Sequence, residues 1–195
     1  MDLFTPSELI VVRHGEAAGN ARGIVQGREP FALTATGREQ ARVVGQFIAR
    51  IGWAPARIVT SPVVRARETA AIVGSGIGIS DATPVEAFAE IDPGRAVGQP
   101  IADFSAAAGM EAHGGESVDS LYRRVADGLD ALPRDEPLLI VTHGCVFKAV
   151  LAHLLDWRGD YWLDLRCGTC MRLMRIGSEL HSFTHLIHPE EMRLD

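Results

Sequence analysis

The chain is predicted to form an α/β fold: a three-layer α/β/α sandwich with a mostly parallel central sheet and an irregular cap segment. Three observations carry this expectation. Leu9-Ile10-Val11-Val12 and Leu138–Thr142 are apolar without alternation, as strands covered on both faces are. Helix-period segments alternate with strand-like ones. No internal repeat, low-complexity tract or clear linker interrupts the 195 residues, so residues 1–195 are read as one domain.

In chain order, Glu8–Arg13 reads as a buried strand. Thr36–Ile51 reads as a helix, with Ala41, Val44, Phe47, Ile48 and Ile51 on one face and capping-box spacing between Thr36 and Glu39. Arg57–Ser61 is a short strand. Ser61-Pro62 then opens a helix, serine as cap and proline in the first turn, that ends near Gly74 or Gly76. Thr83–Ala87 is a further short strand. Residues 90–116, rich in Gly, Ala and Pro, form an irregular cap over the sheet. Ser117–Leu132 is a helix with Val118, Leu121, Tyr122, Val125 and Leu129 facing inward. Leu138–Thr142 is a buried strand and Cys145–Leu155 a helix. Thr169–Ile176 and Ser182–Ile187 are closing strands, joined by a turn at Gly177-Ser178.

Composition narrows the function. Apolar residues are 47% and charged residues 23%, ordinary for a globular protein. A net charge of −6 argues against a nucleic-acid-binding surface. Lys148 is the only lysine, so arginine, whose flat fork of donors suits phosphate, supplies the other basic groups. Met1–Ser7 lacks the basic start and apolar core of a signal peptide, and no apolar run reaches transmembrane length. Three cysteines do not make a disulfide framework. A cytoplasmic protein with no membrane partner is expected, its oligomeric state open, a homodimer included.

Four separated segments can share one chemistry. Arg13-His14-Gly15 closes the first strand: a histidine attacks phosphorus through one ring nitrogen when the other is held as a donor. Gly15 allows a tight turn there. Arg65, in Ser61-Pro62-Val63-Val64-Arg65-Ala66-Arg67-Glu68-Thr69-Ala70, stands in the first turn of a helix, where guanidinium and free amides both favour an anion. Val141-Thr142-His143-Gly144 repeats the pattern of strand, His-Gly and helix. Neighbouring parallel strands would bring His14 and His143 to one sheet edge. Glu90 can supply a proton to a leaving group, with Glu86 and Asp92 as rival carboxylates. Each piece alone also fits a bland reading: an ordinary strand end, a solvated arginine, a surface glutamate.

Taken together, these segments resemble the histidine phosphatase superfamily, also called the phosphoglycerate mutase-like family, over nearly the whole chain. The order matches: RHGE with a following Asn, SPVVRARETA, a Glu, GES, then VTHG. The resemblance implies that His14 accepts the phosphoryl group. Arg13, Arg65 and His143 would surround its oxygens, and Glu90 would be the proton donor. Asn20, Gln26, Gly27 and Gly144 would contact phosphate or substrate. Leu33-Thr34-Ala35-Thr36-Gly37 is similar to the family's entry into the first helix, and Gly115-Glu116-Ser117 to its Gly-Glu-Ser.

The implied chemistry is hydrolysis of a small phosphorylated metabolite through phosphohistidine, with no metal or other cofactor, since arginine and histidine supply the positive charge. A mutase and a phosphoprotein or phosphohistidine regulator are the alternatives. Two departures favour a phosphatase over a mutase. Ile24 stands where family members often carry arginine, with Arg22 nearby. Residues 90–116 contain no lysine and one arginine, Arg95, a poor grip for a bisphosphorylated sugar acid. Cys167 and Cys170 have C-x-x-C spacing but no second pair to complete a zinc site. Trp157, Tyr161 and Trp162 are read as core or edge packing.

Overall fold

A computed structural model describes residues 8–103, 110–155, 165–176, 179–182 and 187–192. Six strands form one sheet: β1 (Glu8–Arg13), β2 (Arg57–Thr60), β3 (Ala82–Pro84), β4 (Leu138–Thr142), β5 (Cys170–Ile176) and β6 (Glu179–Ser182). Their order is β3-β2-β4-β1-β5-β6. The first four are mutually parallel, and β5 and β6 add antiparallel pairings at one side. The helices are α1 (Ala18–Ala21), α2 (Ala35–Arg50), α3 (Val64–Ile77), α4 (Val118–Asp130), α5 (Gly144–Leu155) and α6 (Pro189–Met192).

The central strands bury both faces, which explains their unbroken apolar runs. Leu9, Val11, Leu138 and Ile140 point into a core with Leu121, Val125 and Leu129 of α4 and Val146, Phe147 and Val150 of α5. Ile10, Val12, Leu139 and Val141 point the other way, toward Val44 and Ile48 of α2 and Ala66, Ala70 and Val73 of α3. The sandwich therefore has α4 and α5 on one side of the sheet, α2 and α3 on the other.

Several boundaries differ from the sequence reading, each for a local reason. The cap of α2 is Thr34, not Thr36: its Oγ1 accepts from the Gly37 amide at 3.0 Å. Phe47 is half-buried and Ile51, just past the helix, is 37% exposed, so the buried stripe is narrower than expected. The helix after β2 begins at Val64 with no side-chain cap. Ser61 accepts from the Val63 amide but also faces His143, so it serves the loop rather than the helix end. That helix runs to Ile77 and stops at Gly78, whose φ of +78° suits a left-handed cap. The strand expected at 83–87 is Ala82–Pro84, because Glu86–Phe88 winds into a 3₁₀ turn. The last strand among the described residues is Glu179–Ser182, and Ile187 bridges Cys170; residues 183–186 of the expected Ser182–Ile187 strand lie outside the described residues. The expected turn at Gly177-Ser178 lies outside the described residues, as do Trp157, Tyr161 and Trp162.

Within 90–116 the chain forms 3₁₀ turns at Gly94–Ala96, Ile101–Asp103 and Glu111–His113. It lies against residues 23–25: Val25 donates to Gln99 O, Gly98 to Val25 O, and Ile101 to Gly23 O. Among the described residues, no helix is long and apolar enough to cross a membrane.

Helices α2 and α3 approach through glycine. A Cβ on Gly45 would lie 3.0 Å from the Val73 carbonyl oxygen and 3.2 Å from its Cα; one on Gly76 would lie 3.1 Å from Gly45 Cα. Both obstacles are backbone, so a side chain here must part the helices. Gly45→Val is expected to lower the free energy of unfolding by about 1–3 kcal/mol in urea denaturation, as overpacking typically does.

Candidate active site

β1 and β4 pair in register, Arg13 opposite Thr142. The next residues, His14 and His143, leave neighbouring parallel strands at the same edge, as expected. Their ring centroids are 5.1 Å apart, with planes at 63°. Both imidazoles are buried.

The tautomer of His14 is set from two sides. Nδ1 lies 2.7 Å from the Gly15 carbonyl oxygen, which only accepts, so Nδ1 carries the proton. Arg65 Nε, which only donates, lies 3.1 Å from Nε2, so Nε2 presents its lone pair. Burial lowers the His14 pKa well below the ordinary imidazole value, and the charges of Arg65 and Arg13 push the same way. His14 is therefore neutral, with its Nε2 lone pair directed at Arg65.

The loop that holds His14 is packed backbone to backbone. A Cβ on Gly15 would lie 2.3 Å from the Gly37 carbonyl oxygen, and one on Gly37 would lie 2.0 Å from that of Glu16. The first turn of α2 therefore seats directly on residues 15–16. Thr34 adds a bond from its hydroxyl to the Glu16 carboxylate at 2.6 Å. From α3, Thr69 Oγ1 accepts from the Gly15 amide at 3.1 Å and donates to Arg65 O at 2.7 Å.

Arg65 is the second residue of α3 and 1% exposed, so it is not a solvated surface arginine. Besides His14, it donates from Nη2 to Gly27 O at 2.7 Å and from Nη1 to Glu29 O at 3.2 Å. Burial lowers its pKa to about 10, with Glu90 pulling it up and Arg13 pushing it down, so it stays cationic at neutral pH. Arg13 donates from Nη1 to the Leu165 carbonyl, and its guanidinium lies over Gly144, at the start of α5. Arg13 Nε is buried without a protein hydrogen-bond partner.

His143 Nε2 lies 2.7 Å from Ser61 Oγ, while its Nδ1 is buried and unpartnered. Burial lowers its pKa well below the usual value, helped by Arg65. Glu90 is close enough to Arg65 and Arg13 for their charges to act on it. Burial pushes its carboxyl upward; Arg65, the Ile91 amide, Arg13 and Arg124 only partly offset this. The rivals differ in place: Glu86 is exposed and faces Arg28, and Asp92 accepts from the Gly94 amide.

The remaining expected residues are more dispersed. Gly27 adopts φ +51°, and a Cβ there would strike Pro93 at 2.4 Å, so it joins the loop that holds Arg65 to the segment after Glu90. Gln26 is buried against Gly19, its Oε1 without a protein partner. Asn20 turns its Oδ1 to accept from the Ala17 amide at 2.9 Å, capping the start of α1. Cys170 is buried, its thiol raised by burial to about 12, and Cys167 lies nearer the charges of Arg13 and Arg65. Among the described residues, no three His, Cys, Asp or Glu side chains cluster to hold a metal ion.

Sequence reasoning missed several contributors. Ser61 was assigned to a helix cap, yet it meets His143. Thr69 and the carbonyls of Gly27 and Glu29 have no local mark, since their role follows from where Arg65 arrives. Cys145 of α5 is close enough to Glu90 for burial and the Glu90 charge together to raise its thiol.

Comparison with known proteins agrees with this geometry. The family model of the histidine phosphatase superfamily (branch 1) matches residues 9–181. The uncharacterized phosphatase PhoE of Bacillus subtilis (strain 168) is 32% identical over 148 residues, 74% of this chain and 75% of that protein. A probable phosphoglycerate mutase, GpmB, of Yersinia enterocolitica is 30% identical over 178 residues, 84% of this chain and 81% of that protein. The solved structure of Bacillus stearothermophilus YhfR superposes with a TM-score of 0.75 at 26% identity, covering 90% of this chain and 95% of that one. With two histidines on adjacent strand ends, a buried arginine bonded to the first of them and this match, the chain belongs to branch 1 of the histidine phosphatase superfamily.

Proposed function

We propose that the protein is a metal-independent phosphomonoesterase that acts on a small phosphorylated metabolite through a phosphohistidine at His14. The observation that carries this reading is the double constraint on His14, with Nδ1–H held by Gly15 and the Nε2 lone pair held by Arg65. In the first step Nε2 forms a bond to phosphorus and the phosphorus–oxygen ester bond breaks in line. The Glu90 proton passes to the departing oxygen. In the second step Glu90, now a carboxylate, takes a proton from water as the water oxygen bonds phosphorus and the nitrogen–phosphorus bond breaks. Inorganic phosphate leaves and His14 is regenerated.

Most of the acceleration in phosphoryl transfer comes from positioning and from stabilising charge on the equatorial oxygens. Arg65 and Arg13 are oriented for that, and the partnerless Arg13 Nε and His143 Nδ1 are buried groups that phosphoryl oxygens would satisfy. Gly144 and the start of α5 add free amides. Gln26, Gly27 and Asn20 are assigned to the rim. With one arginine and no lysine in 90–116, the rim suits a monophosphate better than a bisphosphorylated acid. The printed name of the Bacillus subtilis relative points to a phosphatase and that of the Yersinia relative to a mutase; the sparse cationic rim favours the former.

The test is turnover of p-nitrophenyl phosphate in EDTA. Wild type is expected to be active and His14→Ala to lose roughly 10³-fold or more. An inactive wild type, or an undiminished variant, overturns the reading. Arg65→Ala is expected to cost about 10²–10³-fold in kcat, the scale for removing a preorganised charge partner.

The pH dependence follows from the two shifts. Depressed His14 remains an unprotonated nucleophile below the ordinary histidine range, and raised Glu90 remains a proton donor above the ordinary carboxylate range. The profile of kcat/KM is therefore expected to be bell-shaped, with its acid limb below the ordinary histidine range and its alkaline limb above the ordinary carboxylate range, falling as pH rises through the Glu90 pKa. The fall is expected with phenyl phosphate, whose leaving group needs the proton, and not with p-nitrophenyl phosphate, whose leaving group departs unprotonated; Glu90→Gln is expected to remove it and to lower kcat/KM for phenyl phosphate.

A further inference from the structure

Glu90 stands in a stretch that no strand or α-helix holds. After the Glu86–Phe88 turn the backbone is extended at Ala89, and residues 87–90 are tied by side chains from elsewhere. Thr142 Oγ1 donates to Phe88 O at 2.9 Å. Arg124 of α4 donates from Nη1 to Ala87 O at 2.7 Å and from Nη2 to Glu90 O at 3.3 Å. Arg28 donates from Nε to the same Glu90 carbonyl at 3.0 Å.

Both guanidiniums converge on Glu116. Arg124 forks onto its carboxylate, Nε to Oε1 at 2.6 Å and Nη2 to Oε2 at 2.8 Å. Arg28 Nη2 lies 3.6 Å from Oε2. Glu116 is also tied to the cap, its amide donating to Asp92 O at 2.8 Å and its Oε2 accepting from Asp92 N at 3.3 Å. The Glu116 side chain is 10% exposed and that of Arg124 21%, so the pair is largely withdrawn from solvent screening. Burial alone would raise the Glu116 carboxyl. The Arg124 hydrogen bonds and charge, the Asp92 amide and Arg28 outweigh it and lower the carboxyl, keeping it ionised.

The arrangement has a consequence for geometry. Arg28 follows Gly27, and Gly27 and Glu29 present the carbonyls that hold Arg65. The triad Arg28–Glu116–Arg124 thus joins the loop that fixes the nucleophile's arginine to the loop that carries the proton donor. We propose that Arg124 and Glu116, through Arg28, are positioning residues for proton transfer: they keep the Glu90 carboxyl in register with the phosphate pocket without touching the substrate. This rests on the assignment of Glu90 as proton donor to the leaving group.

A series of substituted phenyl phosphates in EDTA tests it, because poor leaving groups need the proton and p-nitrophenolate does not. For wild type, log kcat/KM should vary weakly with leaving-group basicity. Arg124→Met and Glu116→Gln should steepen that dependence. The expected loss is about 10- to 100-fold with unsubstituted phenyl phosphate, the scale of misplacing a catalytic acid, and a few-fold at most with p-nitrophenyl phosphate. Arg124→Lys should recover only part, since an ammonium lacks the planar fork. Glu116→Gln preserves side-chain volume and carries the test alone if Arg124→Met does not fold. An equal loss across the series, or no loss, overturns the positioning role. A wild type inert toward every member overturns the phosphatase reading itself, and the role with it.

Discussion

A buried guanidinium must have its donors satisfied by protein, and most of this site follows from that requirement at Arg65. A charge withdrawn from water is costly unless it is paired or fully hydrogen-bonded. Arg65 meets the demand with His14 Nε2, Gly27 O and Glu29 O, which come from two separate stretches of chain. The same bonds that solvate the arginine hold the imidazole tautomer, shape the 26–29 loop and anchor the start of α3. The nearby charge and the burial together keep His14 neutral. Binding geometry and reactivity therefore have one origin.

Close backbone packing makes this arrangement stiff. Gly15 and Gly37 let the first turn of α2 rest on the loop after β1, and Gly45 and Gly76 let α2 and α3 meet at short range. Protein interiors transmit small volume changes because they are close-packed. Such a frame holds the loop that carries His14 more firmly than a covering loop would. Glu90 is held differently: it lies on irregular chain, and ion pairs and carbonyl contacts replace the regular ladder there.

How much of this was legible in the sequence depends on the range of the interaction. The buried runs of β1 and β4 and the stripe of α4 were read correctly, because periodicity reports burial face by face. The prediction that His14 and His143 share an edge also held, since parallel neighbours end together. Local errors came where a tertiary contact overrode propensity. Ser61 was drawn to His143, Thr34 rather than Thr36 received the α2 cap, and Pro84 was followed by a 3₁₀ turn in place of more strand. Residues 90–116 had no period to read, so their pairing with 23–25 was invisible.

By itself the sequence determined the layered α/β architecture, the pair of strand-end histidines and a family resemblance strong enough to assign residues to roles. Those properties are written in runs of neighbouring residues, where burial and backbone conformation repeat with a fixed period. Only the tertiary structure decided which ring nitrogen of His14 keeps its lone pair, that Arg65 is buried rather than solvated, and that Arg28, Glu116 and Arg124 close around the Glu90 loop. Each of these depends on atoms tens of residues apart meeting within hydrogen-bond distance, and no local pattern encodes such a meeting.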